Sequence, residues 1–286
     1  MLPDAGATPF VSALQSAQKT IRVMVYQMGT GPIIDTLEAK AKAGVKVQII
    51  LDVAQTDTNA KYKARLEAAG AQVIWSNAKF TYMHAKVIVV DEKTAVISTG
   101  NYAAFRMGME RNYVVTNRDP ADVDVLVKLF DADFAQKEPD LSCTRLVVSP
   151  VNSRPRIIDV IAAAKKTLLV HSMQLGDDDV RDAIAAAKAR GVVVRVILAD
   201  PNWIDANAEA GTFLKAKGIE ARWTKEPGVH VKAISVDGTI AFVGSENLSW
   251  TSLTKNREIG VVVQEAKNIA TMDATFDKDW AIATAF

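Results

Sequence analysis

The sequence carries one motif at two places that are separated by a constant interval. Residues 82–101 read YMHAKVIVVDEKTAVISTGN, and residues 228–247 read GVHVKAISVDGTIAFVGSEN. A His, a Lys, an Asp and an Asn recur in the same order, each 146 positions later, as His84 and His230 do. Matches at a single interval indicate an internal duplication, so the chain is expected to fold as two similar halves.

The segments before each motif predict alternating helices and strands. Residues 35–52 and 182–200 each join an Ala-rich helical pattern to a glycine, Gly44 or Gly191, and then to an apolar β-branched run. A helix closed by glycine and followed by a buried strand is typical of an α/β crossover unit. We therefore predict an α/β fold with two similar lobes, each a mixed β-sheet flanked by helices, related by an approximate twofold axis.

The junction between the lobes is expected where prolines interrupt the periodic pattern. Residues 137–155 contain three prolines, and they favour one lobe over residues 1–143 and a second over residues 144–286. The single cysteine, Cys143, cannot form an intrachain disulfide and is interpreted as a buried structural thiol. The sequence leaves open whether the halves close within one chain or exchange between the chains of a homodimer.

Charge and hydropathy narrow the choice of partners. The 34 Lys and Arg nearly cancel the 33 Asp and Glu, so no global positive field draws the chain to nucleic acid or to an anionic membrane. The longest apolar runs, such as residues 192–199, are far shorter than the roughly 20 residues of a membrane helix. No transmembrane segment is expected, whereas peripheral membrane contact, export with a trimmed signal peptide and the cellular location stay open.

Each motif supplies half of a set of reactive groups. In a strand, alternate residues share a face, so His84 and Lys86 point together, as do His230 and Lys232. Asp91 and Asp237 fall on the opposite face at a strand turn, so they are expected to serve the turn and to support the site indirectly. Asn101 and Asn247 follow the return strands and are expected close to the histidines of their own lobes, near the start of a helix.

These residue types suit a phosphate diester. Lysine offers a positive charge and asparagine an amide donor to the non-bridging oxygens, while histidine attacks phosphorus or transfers a proton. Displacement of an alkoxide needs a nucleophile on one side and an acid on the other. One histidine from each half supplies both, which predicts an active site where the halves meet.

The doubled pattern His-x-Lys-x4-Asp followed by Gly-Ser-x-Asn resembles the phospholipase D superfamily. The second copy matches fully through Gly244, Ser245 and Asn247, whereas the first has Ser98 and Thr99 in place of Gly and Ser. The resemblance covers nearly the whole chain. It implies the two-lobed fold, a phosphohistidine intermediate, and neither a metal nor another cofactor.

Members of that superfamily also place a carboxylate after each motif. Glu258 lies 28 residues past His230, but Asn112 stands 28 residues past His84. We therefore expect Glu258 to keep His230 protonated as the general acid and Asn112 to orient a neutral, nucleophilic His84, a division similar to that of tyrosyl-DNA phosphodiesterases. Glu110 is an alternative source of the first carboxylate. Thr99, Ser245 and Asn112 are expected to contact the substrate.

The resulting expectation is a metal-independent phosphodiesterase that hydrolyses phospholipids and passes the phosphatidyl group to alcohols. The alternative is an endo- or exonuclease of the same superfamily that cleaves DNA or RNA. Three histidines and one cysteine without metal-ligand spacing give little support to a metal site. His171, whose approximate counterpart is Met24, is interpreted as a core histidine.

Overall fold

A computed structural model describes residues 1–142 and 144–286. Cys143, and with it the interpretation of its thiol, lies outside the described residues. The first lobe contains, in chain order, α1 (Thr8–Ser16), β1 (Thr20–Val25), α2 (Pro32–Lys42), β2 (Lys46–Leu51), a 3-10 turn (Val53–Gln55), α3 (Thr56–Ala68), β3 (Gln72–Trp75), β4 (Lys86–Val90), β5 (Thr94–Ser98), α4 (Ala104–Met109), β6 (Glu110–Arg111), β7 (Val114–Asn117) and α5 (Pro120–Phe134).

The second lobe repeats the main helices and strands of this series, with short additional strands at both ends and a two-residue strand just before the second motif. It contains β8 (Val147–Ser149), α6 (Ser153–Ala162), β9 (Thr167–Ser172), α7 (Asp178–Ala189), β10 (Val193–Ala199), α8 (Ala206–Ala216), β11 (Glu220–Thr224), β12 (Gly228–Val229), β13 (Lys232–Val236), β14 (Ile240–Gly244), α9 (Trp250–Thr254), β15 (Glu258–Val263), α10 (Ala266–Ile282) and β16 (Thr284–Ala285).

The two main sheets share one strand order. The first sheet runs β3-β2-β1-β4-β5-β7, and the second contains the equivalent series β11-β10-β9-β13-β14-β15, with β16 and β8 at its edges. In each series the first three strands are parallel and the next three antiparallel. The expected pair of mixed sheets flanked by helices is confirmed.

Local sequence explains how the crossover helices begin and end. Pro32 occupies the first turn of α2, where its fixed φ and missing N–H cost nothing. Gly44 and Gly191 follow α2 and α7 with φ of 86° and 91°, a left-handed conformation that glycine adopts without a Cβ clash. Both glycines turn the chain directly into a buried strand, as the repeated pattern predicts.

The inner faces of the two sheets form a common apolar core. Val87 and Val89 from β4 belong to the same buried cluster as Val231, Val243 and Ile259 from the second lobe. Each lobe has one further apolar cluster, which packs its helices against its own sheet. Burial of a side chain of this size stabilises a fold by about 1.5–3 kcal/mol, so the shared core ties the lobes together.

Polar contacts cross the lobe interface in matching pairs. The short strand β6 pairs in parallel with β12. Arg111 binds Asp279 through two hydrogen bonds of 2.7 and 2.8 Å, and Arg257 binds Asp133 at 2.9 and 3.0 Å. The second pair repeats the first at the 146-residue interval, and all four side chains are buried. The lobes therefore close on each other within this chain.

Within residues 1–142 and 144–286, none of the helices combines the length and the apolar character that crossing a bilayer requires.

Candidate active site

A cavity of about 750 Å³ opens where the lobes meet. Its walls come from both lobes and include the motif histidines, the motif asparagines and a pair of equivalent glutamines: His84, His230, Asn101, Asn247, Gln27 and Gln174. The structure thus brings both histidines of the duplicated motif to one space, as the sequence predicts.

His84 is held by the opposite lobe. Its backbone N–H donates to the carbonyl oxygen of Arg257 at 2.8 Å, and its Nδ1 lies 2.9 Å from Oε2 of Glu258. A carboxylate only accepts, so Nδ1 carries the hydrogen and Nε2 is left for the cavity. The fully buried Glu258 also accepts from Ser252 (2.6 Å) and from the amide of Asn256 (2.9 Å).

His230 is held in the equivalent way by the first lobe. Its N–H donates to the carbonyl of Arg111 at 3.1 Å, and its Nδ1 lies 3.0 Å from Oδ1 of Asn112. Thr99 donates to the same Oδ1 at 2.8 Å, and the Asn112 amide nitrogen faces Glu110 at 3.5 Å. These neighbours fix the amide with its oxygen toward the ring, which favours a hydrogen on Nδ1, while Nζ of Lys232 lies 3.1 Å from the same nitrogen.

The expected pairing of the histidines with their supporting residues is wrong. Glu258 supports His84 and Asn112 supports His230, the reverse of the expectation from the 28-residue spacing. That spacing measures distance along one lobe. The packing of the two lobes places β6 beside β12 and Arg257 beside Met83, so each segment that follows a motif lies against the histidine of the other lobe.

Neither motif lysine lines the cavity. Lys86 and Lys232 are fully buried, and their ammonium groups donate to the backbone carbonyls of His84 and His230. Burial lowers the pKa of Lys86 to about 7 and holds the pKa of Lys232 well below its usual range. Any charge that they carry therefore acts on the cavity through the low-dielectric layer around the imidazoles.

Both catalytic candidates are neutral imidazoles in the free protein. Burial lowers the pKa of His84 to about 4, although the nearby Glu258 carboxylate opposes the shift. Burial and the neighbouring Lys232 hold the pKa of His230 well below its usual value. The expectation of a neutral His84 agrees with this environment, whereas the expectation of a His230 kept protonated by Glu258 does not.

The motif asparagines line the cavity, whereas the other residues expected to contact the substrate are buried. Asn101 and Asn247 lie on the cavity wall, each three residues before a short helix, and their buried Oδ1 atoms have no hydrogen-bond partner among the described residues. Thr99, Ser245 and Asn112 are instead buried behind the wall. Their polar atoms bind neighbouring protein groups, and their expected contact with substrate stays a prediction.

The departure of the first motif from Gly-Ser is accommodated locally. The Ser98 hydroxyl accepts from the N–H of Gly100 at 3.0 Å and donates to its carbonyl at 3.1 Å. In the second lobe, a Cβ on Gly244 would lie 2.1 Å from the Glu246 carboxylate and 2.7 Å from the Cα of Gly260. The first lobe has Ser98 and Gly100 where the second lobe has Gly244 and Glu246, so the side chain stands at a different motif position in each lobe.

Asp91 and Asp237 serve the fold at the far ends of β4 and β13. Both residues have positive φ at the turn. The Asp91 carboxylate accepts three backbone N–H groups from residues 18–20, and Asp237 accepts three from residues 165–167. The predicted turn role is confirmed, but the aspartates anchor the starts of β1 and β9 and do not contact the histidines.

Aromatic residues near the rings were not identified from the sequence. The Tyr26 ring lies 4.7 Å from the His84 ring, and Trp203 stacks on His230 at 6.4 Å between centroids. Tyr26 follows β1 and Trp203 follows β10, and both strands belong to the parallel half of a sheet. Ligand sites of α/β folds gather at the ends of such strands, so this position could have identified the two residues from the sequence. His171 is a buried core residue whose Nδ1 lies 3.1 Å from the Tyr113 hydroxyl, as predicted.

Comparison with known proteins agrees with this geometry. The family described as "Cardiolipin synthase, PLD-like domain" matches residues 10–136 and 157–280. The probable cardiolipin synthase YwiE of Bacillus subtilis (strain 168) is 23% identical over 93% of this chain and 62% of its own length. The mitochondrial cardiolipin hydrolase of Chlamydomonas reinhardtii is 30% identical over 45% of this chain and 57% of its own.

A solved structure shows the same architecture. Phosphatidylserine synthase of Haemophilus influenzae Rd KW20 superposes with a TM-score of 0.73 at 14% identity, over 98% of this chain and 85% of that one. At this identity the likeness shows the fold alone. The present chain spans about three fifths of the length of the Bacillus relative. Because the family match covers most of both lobes, the chain belongs to the phospholipase D superfamily, in the family of PLD-like domains described for cardiolipin synthase.

Proposed function

We propose that this chain is a metal-independent phosphodiesterase that cleaves phospholipids through a covalent phosphohistidine. The observation that carries the proposal is the pair of imidazoles, one from each lobe, on a single cavity with Nδ1 of each already bound to protein. Each ring therefore has only Nε2 to offer a phosphate. Nucleophile and acid on opposite sides of one phosphorus are what displacement at a diester needs.

In the first step, we assign attack to His84 and proton donation to His230. The Nε2–P bond forms as the P–O bond to the leaving alcohol breaks, and the leaving oxygen takes a proton from Nε2 of His230. Attack places positive charge on the His84 ring, and the Glu258 carboxylate at 2.9 Å stabilises that charge directly. A neutral amide, Asn112, leaves the His230 ring free to lose its proton.

Substrate binding supplies the acid form of His230. In the free protein both the burial of the ring and its lysine neighbour favour the neutral imidazole. A bound diester adds a negative charge beside that ring and so raises its pKa, which lets the ring take a proton as the complex forms. Attack requires the neutral form of His84, and burial, which lowers the pKa of this ring to about 4, favours that form.

The second step returns the enzyme to its starting state. Water attacks phosphorus and gives its proton to the now neutral His230, the bond from P to His84 breaks, and the phosphoryl product leaves. An alcohol in place of water would accept the phosphatidyl group in the same way. Asn101 and Asn247 on the wall are proposed to bind the non-bridging oxygens, with Lys86 and Lys232 adding positive charge from beneath.

The lipid assignment is supported by relatives named for cardiolipin chemistry. The test is incubation of the full chain, in chelator, with phosphatidylcholine plus ethanol, with cardiolipin, and separately with DNA and RNA. Release of phosphatidic acid or phosphatidylethanol is expected. Rapid acid-free quenching and peptide mass mapping should find the phosphoryl adduct on His84. An adduct on His230 would reverse the two roles, and cleavage of nucleic acid without any lipid product would replace the lipid substrate.

A further inference from the structure

Large apolar side chains that face solvent are concentrated at the mouth of the cavity. In the described part of the chain, eight such side chains are exposed. Five of them lie on or beside the cavity wall and are called here the rim: Tyr82, Phe105, Met109, Trp203 and Trp250. Proteins in water seldom expose so many large apolar side chains in one place unless a partner covers them, so this concentration marks a contact surface.

Two equivalent helices carry most of the rim. Helices α4 and α9 follow the motif asparagines at the 146-residue interval. In α4, Phe105 is 73% exposed and stands next to Arg106, which lines the cavity. In α9, Trp250 is 52% exposed, and the ammonium of Lys255 lies 5.3 Å from its ring centroid. Each lobe therefore presents an aromatic ring together with a cation.

The remaining members join the two lobes around the opening. A Cβ placed on Gly228 would lie 3.9 Å from the Trp203 ring and 4.0 Å from the carbonyl oxygen of Met109. Trp203 and Met109 thus approach the same point from different lobes. Tyr82 packs edge-on against Tyr26 on the other side of the cavity, near His84. The rim is therefore built from both lobes and includes residues on the cavity wall near each histidine.

We propose that the rim docks on the surface of a phospholipid bilayer, which would deliver the lipid substrate of the proposed function directly into the cavity. Exposed aromatic and Met side chains enter the boundary between headgroups and acyl chains, while Arg106 and Lys255 meet lipid phosphates. A second copy of the chain or a protein partner seated on the rim would cover the entrance that a substrate needs. A bilayer that is itself the source of substrate covers the rim without that conflict.

The test separates docking from catalysis by using an inactive full chain, His84→Ala, and vesicles of equal parts phosphatidylglycerol and phosphatidylcholine. Phe105→Ser with Met109→Ser removes two rim side chains that do not line the cavity. The matched control, Val193→Ser with Ile282→Ser, removes side chains of similar exposure, 58% and 62%, elsewhere on the surface. Partition measured by vesicle flotation should fall about tenfold or more in the rim variant and stay unchanged in the control, because binding scales with apolar area buried.

Activity and sedimentation measurements complete the test. In the chain with native His84, the rim variant should hydrolyse a monomeric short-chain phospholipid at the normal rate and a vesicle substrate slowly. Equal flotation of the rim variant and the parent, or an equal loss in the control, would overturn the docking surface. A rim variant that only abolishes self-association in sedimentation would assign the rim to a second copy instead. Flotation through the rim without hydrolysis of any phospholipid would retain the docking surface and reject the catalytic proposal.

Discussion

The Nδ1 atom of His84 lies 2.9 Å from Oε2 of Glu258, although the two residues are 174 positions apart and belong to different lobes. His230 and Asn112 form the equivalent contact across 118 positions. Each imidazole is thus placed by the lobe that does not contain it. The cavity exists only when the lobes are packed together, and its two sides differ because one support is a carboxylate and the other an amide.

The first prediction concerns Glu258→Gln. The amide can turn its NH2 toward the ring and so favour the wrong tautomer, and it cannot offset positive charge on His84. We expect kcat for phosphodiester cleavage to fall by about 10²- to 10⁴-fold, with little change in the far-UV circular dichroism spectrum. Single-turnover kinetics should show slower formation of the adduct. Normal adduct formation with slow breakdown would assign Glu258 to the second step.

The second prediction concerns Asn112→Asp, which replaces the amide beside His230 by a carboxylate of almost the same shape. A carboxylate beside His230 favours the imidazolium, so the pKa of that ring should rise by about one unit or more. Activity that requires protonated His230 falls as the pH rises through this pKa. The alkaline limb of the profile of kcat/KM against pH should therefore move to higher pH. A limb that stays in place would mean that His230 is not the acid.

The third prediction concerns Gly100, which lies close to the Asn112 side chain that orients His230. A Cβ on Gly100 would lie 2.6–2.8 Å from the side-chain amide of Asn112, which must then shift away from the ring. We expect Gly100→Ala to lower kcat by about 10²-fold, because loss of orientation at a catalytic group has this scale of effect. Gly108→Ala is the control, since its Cβ would meet nothing within 4 Å. Equal activity of both variants would contradict the orienting role of Asn112.

The buried ion pairs across the interface predict a stability effect. Asp279→Asn removes the buried charge partner of Arg111 and leaves only the exposed Asp4 carboxylate, 3.7 Å from its Nη1, which should lower the free energy of unfolding by about 3–5 kcal/mol. Asp124→Asn breaks the exposed pair with Lys128 and should cost less than about 1 kcal/mol. Urea denaturation of both variants measures the difference. Similar small losses would show that the crossed pairs do not hold the lobes together.

The last prediction concerns acid sensitivity through His171. Burial lowers the pKa of this ring to about 3. The unfolded chain therefore binds the proton more readily, and the stability contributed by the neutral ring is complete above about pH 6.5 and is lost as the pH falls toward 3. Each pH unit in that window costs at most about 1.4 kcal/mol.

His171→Met introduces the residue found at the approximate equivalent position, Met24. Between pH 6.5 and 4.5, the variant should lose about 2 kcal/mol less unfolding free energy than the parent, whatever its absolute stability. Urea midpoints at several pH values give this slope. Parallel slopes for the two proteins would contradict a buried neutral His171.

Much of the fold could be predicted because the duplication repeats both pattern and order. Gly44 and Gly191 marked the ends of two helices, and the period of two along the motif strand predicted that His84 and Lys86 share one face. The supporting contacts were not predictable in the same way. Asn112 and Glu258 carry the correct residue types for orienting an imidazole, but distance along a chain says nothing about which lobe lies opposite.

The sequence by itself determined the two α/β lobes and the identity of the paired histidines, lysines and asparagines, because periodicity and a constant interval are properties of the chain. Tertiary structure alone decided that Glu258 serves His84, that the lysines lie beneath the rings, and that Arg111 and Arg257 bind aspartates of the opposite lobe. These relationships depend on how two sheets pack face to face, and side chains far apart in sequence become neighbours only when the apolar core between the lobes closes.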